Sequence, residues 1–138
     1  MDLTESFGQM PFNDLIGIEL LDVQPGYVTG KINLAQKHSS NPRHFIAHGG
    51  VTYALADTVG GAAVISKYES VTPTIDMRID YLAPATGEQL IASAEVIRSG
   101  KSVAVVDVDI VDEDDNSIAT ARGTYKTGGG STETAWGR

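Results

Sequence analysis

The stretch His48-Gly49-Gly50-Val51-Thr52-Tyr53-Ala54-Leu55-Ala56-Asp57 opens the only long helix this chain predicts, and the remaining elements arrange themselves around it. Two adjacent glycines at a helix start let backbone N–H groups at the positive helix end come close to a ligand, an arrangement suited to a developing oxyanion. Asp57 lies two turns further on, too deep to cap the helix and beyond the first turn in which the helix dipole acts. No Lys or Arg occurs between Arg43 and Lys67 to pair with it. On a 3.6-residue wheel Asp57 shares a stripe with Gly50, Tyr53, Gly61 and Val64, which is small and almost uncharged. A carboxylate left incompletely solvated on such a stripe is a candidate base or nucleophile. Gly60 and Gly61 each cost a helix about 1 kcal/mol relative to alanine, so the pair predicts close approach by another backbone or a ligand.

Outward from this helix, which is predicted to run from Gly49 to about Tyr68, the pattern is extended on both sides. Residues 7–15 predict a short helix, and 16–23 with 27–34 predict a hairpin around Gln24-Pro25-Gly26. Residues 36–43 form a polar loop. After the helix come β-branched or alternating runs at 72–82, 89–98, 102–111 and 117–126, broken near 84–87, at Ser99-Gly100 and at the acidic turn 112–115. Two strands, one long helix and four strands describe an α+β domain with an antiparallel sheet wrapped around a central helix. The chain divides into an N-terminal segment (1–15), the sheet-and-helix domain (16–127) and a Gly/Ser/Thr-rich tail (128–138) expected to be flexible, with Trp136 exposed. One helix buries only one face of such a sheet and leaves its edges open, so at least a homodimer is expected.

Composition narrows the chemistry. At 138 residues there is room for one domain, and the absence of cysteine removes thiolate catalysis, disulfides and cysteine-ligated metals. A formal charge of -8 repels phosphate backbones and anionic lipid, so neither nucleic acid nor membrane is an expected partner. The first residues lack the basic and apolar regions of a signal peptide and no apolar run is long enough to span a bilayer, which sets a cytoplasmic expectation. The run Asp112-Glu113-Asp114-Asp115 reads as a solvated turn, because a calcium loop begun there would place Ser117 and Gly123 where glycine and glutamate are required. His38, His44 and His48 are spaced across a loop containing Pro42 and Phe45 with no carboxylate nearby, so no metal is expected.

The chain resembles the hotdog-fold acyl-CoA thioesterases of the phenylacetate-degradation (PaaI) type across roughly residues 16–126. The resemblance rests on His48-Gly49-Gly50 followed by Leu55-Ala56-Asp57 and on the strand Thr74-Ile75-Asp76-Met77-Arg78-Ile79-Asp80-Tyr81-Leu82-Ala83-Pro84. The hairpin Arg98-Ser99-Gly100-Lys101-Ser102 and the final Ala121-Arg122-Gly123-Thr124-Tyr125 add to it. It implies a hotdog fold that hydrolyses acyl-CoA without a cofactor. In that family the aspartate matching Asp57 acts as general base or nucleophile, and the N–H matching Gly49 is the oxyanion donor. The hydroxyl matching Thr74 holds the attacking water. Family sites lie at a dimer interface, the aspartate and hydroxyl from one subunit facing the glycine and an asparagine of the other, within a homodimer or a dimer-of-dimers tetramer. The family asparagine stands six residues before the histidine, where this chain has Pro42, so Asn41 fills that role only if the loop absorbs one residue.

Thioester hydrolysis needs a base, an oxyanion acceptor and an acyl slot, and each has a candidate here. His48 is expected mainly to close the loop or orient the glycines. Tyr53, Val64 and Tyr81 are candidates to line the acyl slot, and Gly50 is a further candidate for substrate contact. Half of the basic residues, Arg78, Arg98, Lys101, Arg122 and Lys126, fall in the later strands and turns, and Arg98 with Lys101 are the preferred contacts for the CoA phosphates. Two other readings share the fold: a dehydratase or hydratase pairing a catalytic histidine with an acid, and a non-catalytic acyl-CoA binding module.

Overall fold

A computed structural model describes residues 2–128, and the expectations for most of the tail, including Trp136, lie outside the described residues. Two short helices come first, α1 (Leu3–Gly8) and α2 (Pro11–Ile16), where the sequence pattern predicts one. Pro11 divides them, since it is favoured in the first turn of a helix but cannot donate within one. Gly17, at φ 89°, ends α2 in the left-handed region and turns the chain into the sheet. The strands are β1 (Ile18–Gln24) and β2 (Tyr27–Asn33) before the long helix α3 (Gly49–Tyr68), then β3 (Thr74–Tyr81), β4 (Gln89–Ser99), β5 (Val103–Asp112) and β6 (Ser117–Lys126). A single 3₁₀ turn, Gln36–His38, interrupts the predicted loop. β3 begins two residues later than the sequence pattern predicts, after Pro73, which has no N–H to give a ladder.

All pairings are antiparallel and the order is β1-β2-β4-β5-β6-β3, the six-stranded wrap around one helix that the resemblance implies. Alternation places Ala104, Val106, Val108 and Ile110 of β5, and Ala119, Ala121 and Tyr125 of β6, on the side facing α3. From α3 they meet Leu55, Val59, Ala62, Ala63 and Val64, each fully buried. Val64 is therefore core rather than a wall of an acyl slot, because its side of the helix faces the sheet. The stripe Gly50, Tyr53, Asp57 and Gly61 stays exposed or half-buried, the sheet leaving a gap there between its two edge strands. α1 buries Leu3 and Phe7 against the core and packs on β1. Among the described residues no helix is long and apolar enough to cross a membrane.

Candidate functional site

Asp57 sits half-buried on α3, and two hydroxyls converge on one of its oxygens. Thr74 Oγ1 donates to Oδ1 at 2.8 Å. The Tyr125 hydroxyl lies 2.9 Å from both Oδ1 and the Asp57 carbonyl oxygen, towards which it donates. Thr74 and Tyr125 are direct cross-strand partners in the β3–β6 ladder, so a single register choice brings both to the carboxylate. Oδ2 has no hydrogen bond among the described residues, and Asp57 forms no salt bridge there. Burial, followed by the charge of Asp57, pushes the Tyr125 hydroxyl far above the ordinary tyrosine range and keeps it a donor.

Tyr125, which the sequence offers only as part of the final strand, is thus brought into direct contact with Asp57. Its signal is the Gly60-Gly61 pair: a Cβ at Gly60 would lie 2.8 Å from the Tyr125 hydroxyl, and one at Gly61 3.4 Å from its ring. The close approach expected of the pair is thus made by a phenol side chain rather than by a backbone or ligand. Gly60→Ala gains about 1 kcal/mol of helix propensity but overpacks a full core, which costs about 1–3 kcal/mol. A net loss of thermal stability and of activity is expected, as the hydroxyl is pushed away from Asp57. Gly61→Ala, at ordinary contact distance, is expected to hold or raise the melting temperature; calorimetry on the pair checks both.

The helix start is built differently. His48 caps α3: its Nδ1 accepts from Gly50 N–H at 2.8 Å, and its own N–H donates to His38 O at 2.8 Å. Gly50 N–H is thereby committed, whereas Gly49 N–H has no partner among the described residues. This bond occupies Nδ1 and leaves it unavailable as a catalytic base. His38 uses both ring nitrogens on the backbone of Ile16 and Ala35. Tyr81 donates to Gly49 O at 2.7 Å and Tyr53 to Met77 O at 2.8 Å, tying the first half of α3 to the edge strand. Both hydroxyls titrate above the ordinary tyrosine range, chiefly from burial, with Asp57 and Asp76 adding to the shift at Tyr53. Both rings remain partly exposed beside the site.

Asn41 is half-buried in the preceding loop, where its Oδ1 accepts from the N–H groups of Arg43 and His44 at 2.8 and 3.1 Å. This turn absorbs Pro42 and leaves the Asn41 amide NH2 as the available donor. Arg98 and Lys101 are exposed at the β4–β5 turn, where Arg98 follows a bulge, and neither forms a salt bridge among the described residues. Arg78 and Arg122 differ: Asp80 and Asp107 pair with them, Arg122 in a bidentate contact at 2.7 and 3.0 Å.

The two candidate groups, Gly49 N–H and the Asp57 carboxylate, stand apart on one chain. Gly49 and Asp57 are eight positions apart on α3, about 12 Å along the axis. They also open into different cavities. Gly49 faces one of about 380 Å³ bounded by Tyr81, Leu82 and Ala85, and Asp57 faces one of about 190 Å³ beneath Phe7, Met10 and Asn13 of the N-terminal helices. An oxyanion donor and a base serving one thioester must each lie within hydrogen-bond reach of adjoining atoms. Gly49 and Asp57 of the same protomer do not meet that condition.

A family model described as the thioesterase superfamily matches residues 44–119. The medium/long-chain acyl-CoA thioesterase YigI of Salmonella typhimurium is 31% identical over 134 residues, with 86% of each chain covered. The acyl-coenzyme A thioesterase PaaI of Escherichia coli is 29% identical, covering 83% of this chain and 81% of that one. Among solved structures, a Shewanella oneidensis protein related to the thioesterase superfamily superposes with a TM-score of 0.86 at 31% identity, covering 91% of this chain and 93% of that chain. The E. coli PaaI structure does so at 0.83 with 25% identity, over 92% and 91%.

Proposed function

Since this chain belongs to the thioesterase superfamily, has its hotdog fold and hydrolyses acyl-CoA thioesters, we propose that Asp57 is the general base of a site completed by Gly49 of a second copy. The observation that carries this reading is the asymmetry of the Asp57 carboxylate. Oδ1 is held by Thr74 and Tyr125 while Oδ2 is open, so the carboxylate is oriented yet has one oxygen available to take a proton from water. Thr74 gives its proton to Asp57 and keeps its lone pairs for that same water. The unpartnered Gly49 N–H of the other protomer meets the developing oxyanion, where the positive helix end adds to its effect. His48 positions the glycine by capping the helix, and the Asn41 amide donates across the interface to the substrate. The 12 Å separation within one chain supports a homodimer as the smallest active unit, and pairing of the open β3 edges supplies a natural contact.

A single turnover in ¹⁸O-labelled water tests the role of Asp57. Attack by water places label in the product acid in the first turnover. Unlabelled first-turnover product, with label retained in Asp57, would mean instead that Asp57 attacked the carbonyl and water then opened the resulting anhydride at the Asp57 carbonyl.

Arg98 and Lys101, which form no salt bridge among the described residues, receive the CoA phosphates in this reading. Each exposed contact is worth up to about 1 kcal/mol at low salt. Arg98→Ala and Lys101→Ala are therefore expected to raise KM about two- to fivefold with kcat unchanged, and the difference from wild type should shrink at 0.5 M salt. Steady-state kinetics at two ionic strengths measure both effects; a fall in kcat with unchanged KM would remove these residues from phosphate binding. For the acyl group we propose a medium to long straight chain, supported by the name of the YigI relative and by the apolar walls that Phe7, Ile65 and Val71 give the cavity at Asp57.

A further inference from the structure

The cavity at Asp57 is small for a drug-sized ligand, whose pockets usually hold about 300–1,000 Å³. It does not stand alone. A second chamber of about 310 Å³ lies further along α3, between Leu3 of α1, Val23 and Pro25 at the end of β1, and Ser66. Ile65 lines both chambers. On α3 the lining positions are Asp57, Thr58, Gly61, Ile65 and Ser66, with Glu69 capping the helix end, so the chambers follow one side of one helix. α1 roofs them in the same order: Phe7 closes the chamber at Asp57, and Leu3, one turn away, closes the second. The far chamber reaches solvent at the exposed Gln24 and Glu69.

We infer that these chambers form one acyl groove running along α3 from Asp57 towards Glu69, and that Ile65 is the residue that determines how long a chain it accepts. The inference rests on the acyl-CoA reading of the site. Asp57 to Ile65 is eight residues, about 12 Å, and Asp57 to Glu69 is twelve, about 18 Å. An extended chain advances about 1.2 Å per bond, since a three-bond residue spans at most about 3.6 Å. The first chamber thus takes about ten bonds before Ile65 is met, and the whole groove about fifteen. Chains of eight to ten carbons fit without disturbing Ile65; longer ones must turn its side chain aside to enter the second chamber. Asn13 and Thr72 are the buried polar members of the first wall, and beyond Ile65 the apolar contacts come from Leu3, Val23 and Pro25.

Binding of non-hydrolysable S-alkyl-CoA thioethers, from butyl to tetradecyl, to wild type, Ile65→Ala and Ile65→Phe tests the groove by calorimetry. Each methylene buried is worth about 0.8 kcal/mol, or about fourfold in Kd. Wild type is expected to gain about fourfold per methylene up to octyl or decyl and much less beyond. Ile65→Ala should carry the steep rise through dodecyl and tetradecyl, and Ile65→Phe should end it at shorter chains while leaving butyl binding intact. An identical chain-length dependence in all three proteins, with melting temperatures showing that each is folded, overturns the groove. Because the probes are not hydrolysed, the two readings separate. A break governed by Ile65 in a protein without thioesterase turnover keeps the groove and removes the proposed mechanism, whereas turnover without the break does the reverse.

Discussion

Asp57→Asn is expected to lower kcat for acyl-CoA hydrolysis by about 10² to 10⁴-fold, a barrier increase of at least about 2.7 kcal/mol, with the fold unchanged. The geometry gives the reason for both halves of that expectation. Thr74 and Tyr125 donate to the same oxygen, Oδ1, and an amide oxygen at that position accepts both bonds. The amide nitrogen then occupies the place of Oδ2, where it can donate but can take no proton from water. Thiol release read with a thiol-reactive dye measures the loss, and the protein contributes no background because it contains no cysteine. A folded variant retaining more than about a tenth of wild-type turnover would remove Asp57 from the chemistry.

The second large effect is expected at Gly49→Pro, which removes a single N–H. Proline is favoured at the first helical position, and the extended backbone of His48, φ -60° and ψ 136°, is the conformation a residue before proline adopts. Added atoms must fit beside the Tyr81 hydroxyl, 3.2 Å from a Cβ built there, and a small displacement of that exposed side chain suffices. Loss of one oxyanion donor is expected to cost about 10² to 10³ in kcat. The pair of variants then tests the shared site directly. In a mixed dimer of Asp57→Asn and Gly49→Pro chains, one site carries both lesions and the other carries neither. Random reassociation of equal amounts makes half the dimers mixed, so about a quarter of wild-type activity should return. Recovery no greater than the parent variants would place donor and base within one chain.

The elements that local pattern determines were readable from the residues. Gly49 to Tyr68 is helical because its small residues fill a stripe that a sheet can wrap, and the four strand-to-strand turns fall at Pro, Gly and acidic residues. The Gly-Gly start and the uncharged surroundings of Asp57 also depend only on neighbours in sequence. What escaped depends on register between distant segments. Tyr125 reaches Asp57 because β6 pairs with β3, a contact 68 residues apart. The pairing of Arg122 with Asp107 arises the same way, through the β5–β6 ladder. The covering of the site by Phe7 and Met10 requires α1 and α2 to fold back over α3, and nothing near those residues in sequence signals it.

The strand order has a consequence for synthesis. β3 emerges directly after the long helix, yet among the described residues its one ladder partner is β6, the last strand of the sheet. At about 5–20 residues per second a ribosome needs several seconds to deliver it, during which β3 has no ladder to join. Asp57 and Thr74 are on hand early, but Tyr125 arrives with the final strand and its docking fixes both. A chain stopped in the turn before β6 therefore carries Asp57 without Tyr125 and without the ladder that sets Thr74 in register beside it.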